Sequence, residues 1–164
     1  MNTWLSNALN RAETVDDWLQ SKRRGSLEQL RNTQWPTRKT EAWRYTSLRA
    51  LERTGFRPGA ATSAIADNIP GLNSIDVIFI DGILQNTPDT LPAGLSIVPL
   101  EKATIEQQLW ALQAFANIKP ANHLFGLIND VLATAGVLID VAEDTHIERP
   151  IRIVHMMKIG RAHV

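Results

Sequence analysis

Side chains that could do metal or redox chemistry are scarce in this chain. Its 164 residues include no cysteine, so it can form neither a disulfide nor a thiolate-ligated metal centre. The histidines show no ligand spacing such as H-x-x-x-H, so we expect no metal site built from His123, His146, His155 and His163. No glycine-rich phosphate loop is present, so we expect no ATPase site of that type in this chain.

Positive charge is concentrated between residues 22 and 57. Ten basic residues and three acids give this segment a charge of +7, whereas residues 60–148 carry −9 and the whole chain is neutral. Trp35, Trp43 and Tyr45 lie among the cations, so a basic helical nucleic-acid-binding module is the alternative function. We favour protein contacts, because charge runs are usually solvated faces and Trp43 is expected in the core.

Two acidic residues invite a catalytic interpretation, but a structural one is preferred for each. Asp81 precedes Gly82 between two apolar runs, a pattern typical of a hairpin turn. Glu41 lies at helical pairing distance from Arg38 and Arg44, so we expect a structural ion pair. A β-helix enzyme acting on carbohydrate is not expected either, since no acid pair supports it.

The bulk composition is that of a globular protein, with 44% hydrophobic and 21% charged residues. No apolar run approaches the roughly 20 residues of a membrane-spanning helix, and the N-terminus does not resemble a secretory signal. Together with the absence of cysteine, this predicts a cytoplasmic protein without membrane contacts.

The first third of the chain has helical periodicity. An apolar stripe predicts one continuous helix that runs to the basic residues 22–24 and stops at Gly25; its members are Trp4, Leu5, Ala8, Ala12, Val15 and Leu19. A second helix is predicted over residues 26–34, with Ser26 as its cap, and a third over residues 40–53. A loop follows over residues 55–66.

Alternation then predicts strands over residues 75–80 and 95–98, with a return strand after the Asp81-Gly82 turn. A helix ending at Pro120 is predicted to bury the face formed by Ile105, Leu109, Leu112 and Ala116. The next helix spans residues 124–135 and stops at Gly136. Two last strands follow at residues 137–141 and 151–155, for which the chain offers no later partner strand.

The segment PTRKTEAWRYTSL at residues 36–48 closely resembles a signature of the SufB/SufD family, near the start of SufD-type proteins. Further similar pieces follow in order, namely VIFIDG at 77–82, LPAGL at 91–95, FGLIN at 125–129, GVLIDV at 136–141 and ERPI at 148–151. The signature residues, which we interpret as structural or interaction residues, are Pro36, Arg38, Lys39, Glu41, Trp43 and Tyr45.

This resemblance implies a SufD-like scaffold subunit for iron–sulfur cluster assembly. It acts with SufB-like and SufC-like subunits, has a role in iron supply and is not an enzyme. The implied fold is α+β: a helical region at 1–57, a strand–helix module at 58–136, and the start of a right-handed parallel β-helix at 137–158. The family's functional cysteine and histidine and its ATPase-docking segment lie further on. No catalytic, cofactor-binding or metal residue is therefore carried over, and the cluster belongs to the full complex.

The last six residues, IGRAHV at 159–164, read as an artefact. A widely used sequencing adapter encodes them in frame, as ATC GGA AGA GCA CAC GTC, so we expect a chain truncated inside the β-helix. A chain that stops there leaves strand 151–155 as an open last rung, which predicts aggregation.

Overall fold

The computed structural model describes residues 3–55, 67, 69–117 and 123–157. It combines five α-helices with two small β-sheets, which confirms the mixed α and β class. The chain divides into two compact units. The helical unit comprises Met1–Arg57 and Gln108–Thr134, and the sheet unit comprises Pro58–Gln107 and Ala135–Val164. Most of the predicted loop at 55–66, the predicted stop at Pro120 and the tail at 159–164 lie outside the described residues.

The helices are α1 (Thr3–Ala12), α2 (Gln20–Asn32), α3 (Arg49–Arg53), α4 (Ile105–Asn117) and α5 (Leu124–Leu132), with a 3₁₀ turn at Glu41–Trp43. Three of them build the core of the helical unit by meeting along their apolar faces. Its buried residues come from α1, α2 and α5, and are Leu5, Leu9, Ala12, Leu27, Leu30, Leu124, Leu127 and Val131.

The predicted continuous first helix is wrong, although its buried positions Leu5, Ala12 and Leu19 are correct. The helix ends at Ala12, because local side-chain bonds compete with the helical ladder. The Thr14 hydroxyl donates to the Arg11 carbonyl at 2.8 Å. The Asp17 carboxylate accepts from the Leu19 amide at 3.0 Å and so turns the chain into α2.

Gly25 was predicted to stop a helix and Ser26 to cap one, and both predictions are wrong. The two residues lie inside α2, with Gly25 exposed and Ser26 buried. A glycine inside a helix costs about 1 kcal/mol relative to alanine. Burial of Leu27 and Leu30 against α5 outweighs that penalty, since each buried leucine contributes roughly 2 kcal/mol.

The sheet unit contains β1 (Ile75–Ile80), β2 (Ile83–Asn86), β3 (Leu95–Pro99), β4 (Val137–Val141) and β5 (Ile151–Met156). One sheet has the order β2-β1-β5, and the other pairs β3 with β4. The predicted strands and hairpin are confirmed, since β1 and β2 are antiparallel and joined at Asp81 and Gly82. Both turn residues have positive φ, 50° and 82°, as a tight hairpin turn requires.

The last two strands were expected to have no later strand as a partner, and both pair instead with earlier strands of the chain. β5 pairs in parallel with β1, from Ile75 opposite Ile151 to Ile80 opposite Met156. β4 pairs antiparallel with β3. The alternating pattern of residues 151–155 identified a strand but could not identify a partner far back in the chain. That residues 137–158 begin a longer β-helix stays a prediction.

The core of the sheet unit is apolar. Ile75, Val77 and Phe79 project alternately from β1 and pack with Leu95 and Ile97 of β3. Half-buried residues of the later strands complete this cluster, among them Val137, Ile139 and Ile151. The period of two in the sequence therefore predicted the buried face of β1 correctly.

The predicted buried face of α4 is wrong. Ile105 is 76% exposed and Leu109 is 59% exposed, whereas the small residue Ala111 is buried. Periodicity defines an apolar face but not what covers it, and here the helix buries a different side. No helix among the described residues is long and apolar enough to cross a membrane.

Candidate functional site

The signature segment at residues 36–48 lies in the helical unit, between α2 and α3. The predicted helix over 40–53 is reduced to the 3₁₀ turn and α3, and hydroxyl groups bond to the backbone just before each of them. The Thr40 hydroxyl accepts from the Thr37 amide at 3.1 Å, and the Thr37 hydroxyl accepts from the Lys39 amide at 3.2 Å. The motif is therefore a series of hydrogen-bonded turns.

Aromatic packing fastens these turns to α5. The Trp43 ring lies 5.3 Å from the Phe125 ring, and Trp35 contacts the same phenylalanine edge-on at 6.2 Å. Both tryptophans are half-buried, and Trp35 packs against the helical core. Trp43 was expected in the core and is instead half-buried, and its contact with Phe125 is worth about 1 kcal/mol beyond the area it buries.

The other signature residues differ from Trp43 in their solvent exposure. Pro36 is half-buried beside Trp35, whereas Arg38, Lys39 and Glu41 are exposed. Tyr45 is 91% exposed, and the Arg44 guanidinium lies 5.6 Å from its ring centroid. The motif thus has an anchored aromatic side and a polar side that faces solvent.

The predicted ion pair of Glu41 does not form. Among the described residues, Glu41 has no ion pair with Arg38 or Arg44. Arg44 instead contacts the Tyr45 ring. The segment is also not an α-helix here, so the spacing of three residues does not bring these charged groups together.

An open cleft of about 460 Å³ lies along the motif, with Arg38, Lys39 and Arg49 in its lining. Thr37, Thr46 and Ser47 add hydroxyl groups to the same lining. Glu52 is the one carboxylate there, so the charged lining residues sum to +2. Buried Leu48, at 8% exposure, contributes an apolar patch.

A larger depression of about 560 Å³ between α1 and α2 has a different electrostatic character. Two of its three cations are paired within the protein, Arg31 with Glu13 and Arg23 with Asp17, and the third is Arg24. The charge of the basic segment is therefore less accessible there than in the cleft at the motif.

Arg23 is a structural residue that sequence reasoning did not single out. Its guanidinium donates to both Asp17 carboxylate oxygens, at 2.7 and 2.9 Å, and its side chain is only 3% exposed. Two further donations reach the Val131 and Ala133 carbonyls at 3.2 Å. These carbonyls lie at the C-terminal end of α5, where no intrahelical donor remains, so Arg23 caps the helix that carries Phe125.

A second polar contact joins α2 to α5. The Ser26 hydroxyl donates to the Asp130 carboxylate at 2.8 Å, and the Lys22 ammonium lies 3.3 Å from the same carboxylate. Basic residues of the front segment thus meet an acid of the acidic segment within the helical unit. The sequence signal that could have predicted this contact is a serine, Ser26, among the apolar positions of α2.

The contact between Arg23 and Asp17 lowers the pKa of the Asp17 carboxyl below its usual value.

The described histidines are separated. His123 precedes α5, and its Nδ1 atom accepts from the Gly126 amide at 3.0 Å, so it is an N-cap. His155 stacks on Phe79 with ring centroids 4.8 Å apart, and His146 is exposed. His163 lies outside the described residues. The described part of the chain contains no group of three or more His, Cys, Asp or Glu that could hold a metal ion.

The most strongly shifted acid, Asp76, belongs to β1 of the sheet unit. Hydrogen bonds from Arg152 and then Ser74 lower the pKa of Asp76 to about 2. The Arg152 Nε atom lies 2.9 Å from the Asp76 carboxylate, directly across the parallel ladder. This pair joins β1 to β5, and Arg149 adds a weaker attraction for the Asp76 carboxylate.

Comparison with known proteins places the chain in a family. Residues 6–153 match the family described as the SufBD protein N-terminal region. The chain is 28% identical to the chloroplastic protein ABCI7 of Arabidopsis thaliana over 90% of its own length and 32% of the relative's. It is 24% identical to an iron–sulfur cluster assembly SufBD family protein of Synechocystis sp., over 87% of its own length and 33% of the relative's. The chain thus spans about a third of the length of each, and it belongs to the SufB/SufD family as an N-terminal region.

Proposed function

We propose that this chain is the N-terminal part of a SufD-like scaffold subunit that assembles iron–sulfur clusters. The observation that carries the proposal is the match of residues 6–153 to the SufBD N-terminal region, together with a relative named for cluster assembly. The role is non-enzymatic: the subunit acts with SufB-like and SufC-like partners and takes part in iron supply. Because this chain has no cysteine, the cluster is held elsewhere in the full complex.

A functional test uses the whole protein that carries this region. In a strain lacking the SufD-like gene, the intact gene should restore the activity of iron–sulfur enzymes under iron limitation. Leu127→Ala, which removes a fully buried side chain of the helical unit, should reduce that rescue. Arg24→Gln, an exposed change on α2, is the matched control and should rescue fully. Normal cluster loading without any SufD-like protein would contradict the proposed role.

A second test concerns partners. The tagged whole protein should retain SufB-like and SufC-like subunits through purification. Recovery of the protein without either subunit would contradict the proposed complex while leaving membership of the family intact.

We also propose that the parallel ladder continues beyond this chain as a β-helix. The supporting observation is that β5 lies at the end of its sheet, parallel to β1, with Ile153 50% exposed. An apolar strand at an open edge recruits another strand. The 164-residue chain should therefore associate with increasing concentration, whereas the longer protein should not. Light scattering that shows a monomer at all concentrations of the short chain would contradict this proposal.

A cytoplasmic location is proposed because the 164 residues include no cysteine. The Arabidopsis relative is described as chloroplastic, so the compartment needs its own measurement. Fractionation of the source cells should find the whole protein in the cytoplasmic fraction, and recovery from an organelle or membrane fraction would contradict the proposal.

A further inference from the structure

The cleft along the signature motif combines charge, hydroxyl groups and a fastened backbone. Arg38 and Lys39 are exposed, and neither forms an ion pair with a carboxylate in the described part of the chain. Arg49 extends the positive lining from α3. Since Trp43 fastens the turns to Phe125, these cations project from an ordered support. Cations held in this way bind anions with a smaller entropic loss than cations on a loose loop.

The form of the cleft indicates what size of ligand it accepts. Small-molecule sites are mostly apolar and bury most of the ligand surface. Here the charged and hydroxyl residues of the lining are exposed, and only Leu48 is buried. The cleft therefore matches part of an elongated partner lying along the surface better than an enclosed small molecule.

The aromatic rings of the motif separate a protein partner from a nucleic acid. Single-stranded nucleic acid binds where successive bases stack on exposed aromatic rings, but Trp35 and Trp43 are engaged with Phe125, which leaves Tyr45 as the exposed ring of the motif. Discrete carboxylates can instead approach each cation separately, and arginine binds them with paired hydrogen bonds.

We propose that the cleft formed by Arg38, Lys39 and Arg49 binds an acidic segment of a partner protein. Exposed Tyr45, which directly precedes the lining residues Thr46 and Ser47, provides an aromatic contact for the same segment. Tyrosine and arginine are the residue types that dominate protein interfaces. The proposal depends on the cleft alone and does not require the cluster-assembly role.

The test measures binding of short fluorescent peptides to the 164-residue chain by anisotropy. The probes are an alternating Glu-Ala peptide, a Gln-Ala peptide of the same length and a mixed-sequence single-stranded DNA. Measurements at about 150 mM salt, where the Debye length is roughly 8 Å, suppress long-range attraction. The Glu-Ala peptide is expected to bind at least about tenfold more tightly than the Gln-Ala peptide, a difference of 1.4 kcal/mol.

Variants test whether the Glu-Ala peptide binds in the cleft. Arg38→Gln with Lys39→Gln should weaken Glu-Ala binding about tenfold, since two charge-assisted hydrogen bonds are lost. Arg49→Gln alone should weaken it about threefold, because it removes one cation of the lining. Arg24→Gln with Arg53→Gln removes the same number of charges outside the lining and should change binding less than twofold. Circular dichroism checks that each variant is folded.

Three results would overturn the proposal. Equal weakening by the control pair would mean unspecific charge attraction. Equal affinity for the Glu-Ala and Gln-Ala peptides would exclude an acidic segment as the partner. Tighter binding of the DNA than of the Glu-Ala peptide, lost in the Arg38 and Lys39 variant, would identify a nucleic-acid interface instead. None of these results bears on whether the whole protein assembles clusters.

Discussion

The interiors of the two compact units differ in polarity. In the helical unit, buried Arg23 and Ser26 of α2 bond to residues of the α5 segment that lie 108 and 104 positions later in the chain. In the sheet unit, the buried side chains that the structure describes are apolar. Its principal charged pair, Asp76 with Arg152, is partly exposed.

This difference follows from how helices and strands satisfy their backbones. A helix bonds its own amides and carbonyls internally, so only side chains can fix how α2 docks on α5. A strand leaves those groups for its neighbour, so the ladder between β1 and β5 fixes register by itself. Directional side-chain contacts are thus needed in one unit and dispensable in the other.

The largest expected effect tests the apolar core of the helical unit. Leu127→Ala should lower the free energy of unfolding by about 3 kcal/mol, because a fully buried side chain is replaced by a cavity. Tryptophan fluorescence during urea unfolding reports this unit, since Trp4, Trp18, Trp35, Trp43 and Trp110 all lie within its ranges.

Leu109→Ala, at a site that is 59% exposed, is the matched control and should change the free energy by less than about 0.5 kcal/mol. Hydrogen exchange of the β1 amides reports the sheet unit in the same sample. An equal fall in their protection would show that the two units unfold together. The two units would then have one common stability and not two that can be compared.

The polar interior of the helical unit is tested by Arg23→Met. This substitution keeps an apolar stem but leaves the Asp17 carboxylate and two carbonyls without their donor, so we expect a loss of about 2–3 kcal/mol. Lys22→Met removes a more exposed pair and should cost about 0–1 kcal/mol. A neutral or stabilising Arg23→Met would mean that apolar packing alone docks α2 on α5.

Replacing a glycine by alanine should change the stability in opposite directions in the two units. Gly94→Ala in the sheet unit should destabilise by about 1–2 kcal/mol, because φ is +78° and the new Cβ atom would lie 2.6 Å from the Thr145 Oγ1 atom. Gly25→Ala in α2 should stabilise by about 0.5–1 kcal/mol, since its Cβ atom would meet nothing within 4 Å. Thermal unfolding of both variants measures the difference, and the same sign for both would contradict it.

The smallest expected effect is the pH dependence of the Asp76–Arg152 pair. The pKa of Asp76 is lowered from 3.8 to about 2, so the folded state binds this proton less tightly than the unfolded chain. The stabilisation is therefore fully present above about 3.8 and is lost as the pH falls towards 2. Carboxyl NMR titration should show the low pKa.

Arg152→Gln should return the pKa of Asp76 towards its usual value, because the largest cause of the shift is removed. Arg149→Gln is the control and should move it far less, since Arg149 is the weakest of the causes. An unchanged titration in Arg152→Gln would mean that the Ser74 hydroxyl, and not the contact between strands, holds the carboxylate ionised.

Local pattern predicted much of the fold and part of the candidate site. The alternation at 75–80 located β1 and its buried face, and the Asp81-Gly82 pair located the hairpin. The same reasoning failed for α4, where Ile105 and Leu109 face solvent. For the motif, Trp43 was expected in the core but is half-buried against Phe125, and the expected ion pair of Glu41 does not form among the described residues.

The sequence by itself determined the strands, some of the buried helical positions and the family signature, because these depend on residues within one or two turns of each other. Only the tertiary structure decided that β5 pairs with β1, that Arg23 is buried as the cap of α5, and that the signature presents its cations around an open cleft. The physical reason is distance along the chain. Local periodicity specifies which face of an element is apolar, but contacts between distant segments specify what covers that face and where each polar group finds its partner.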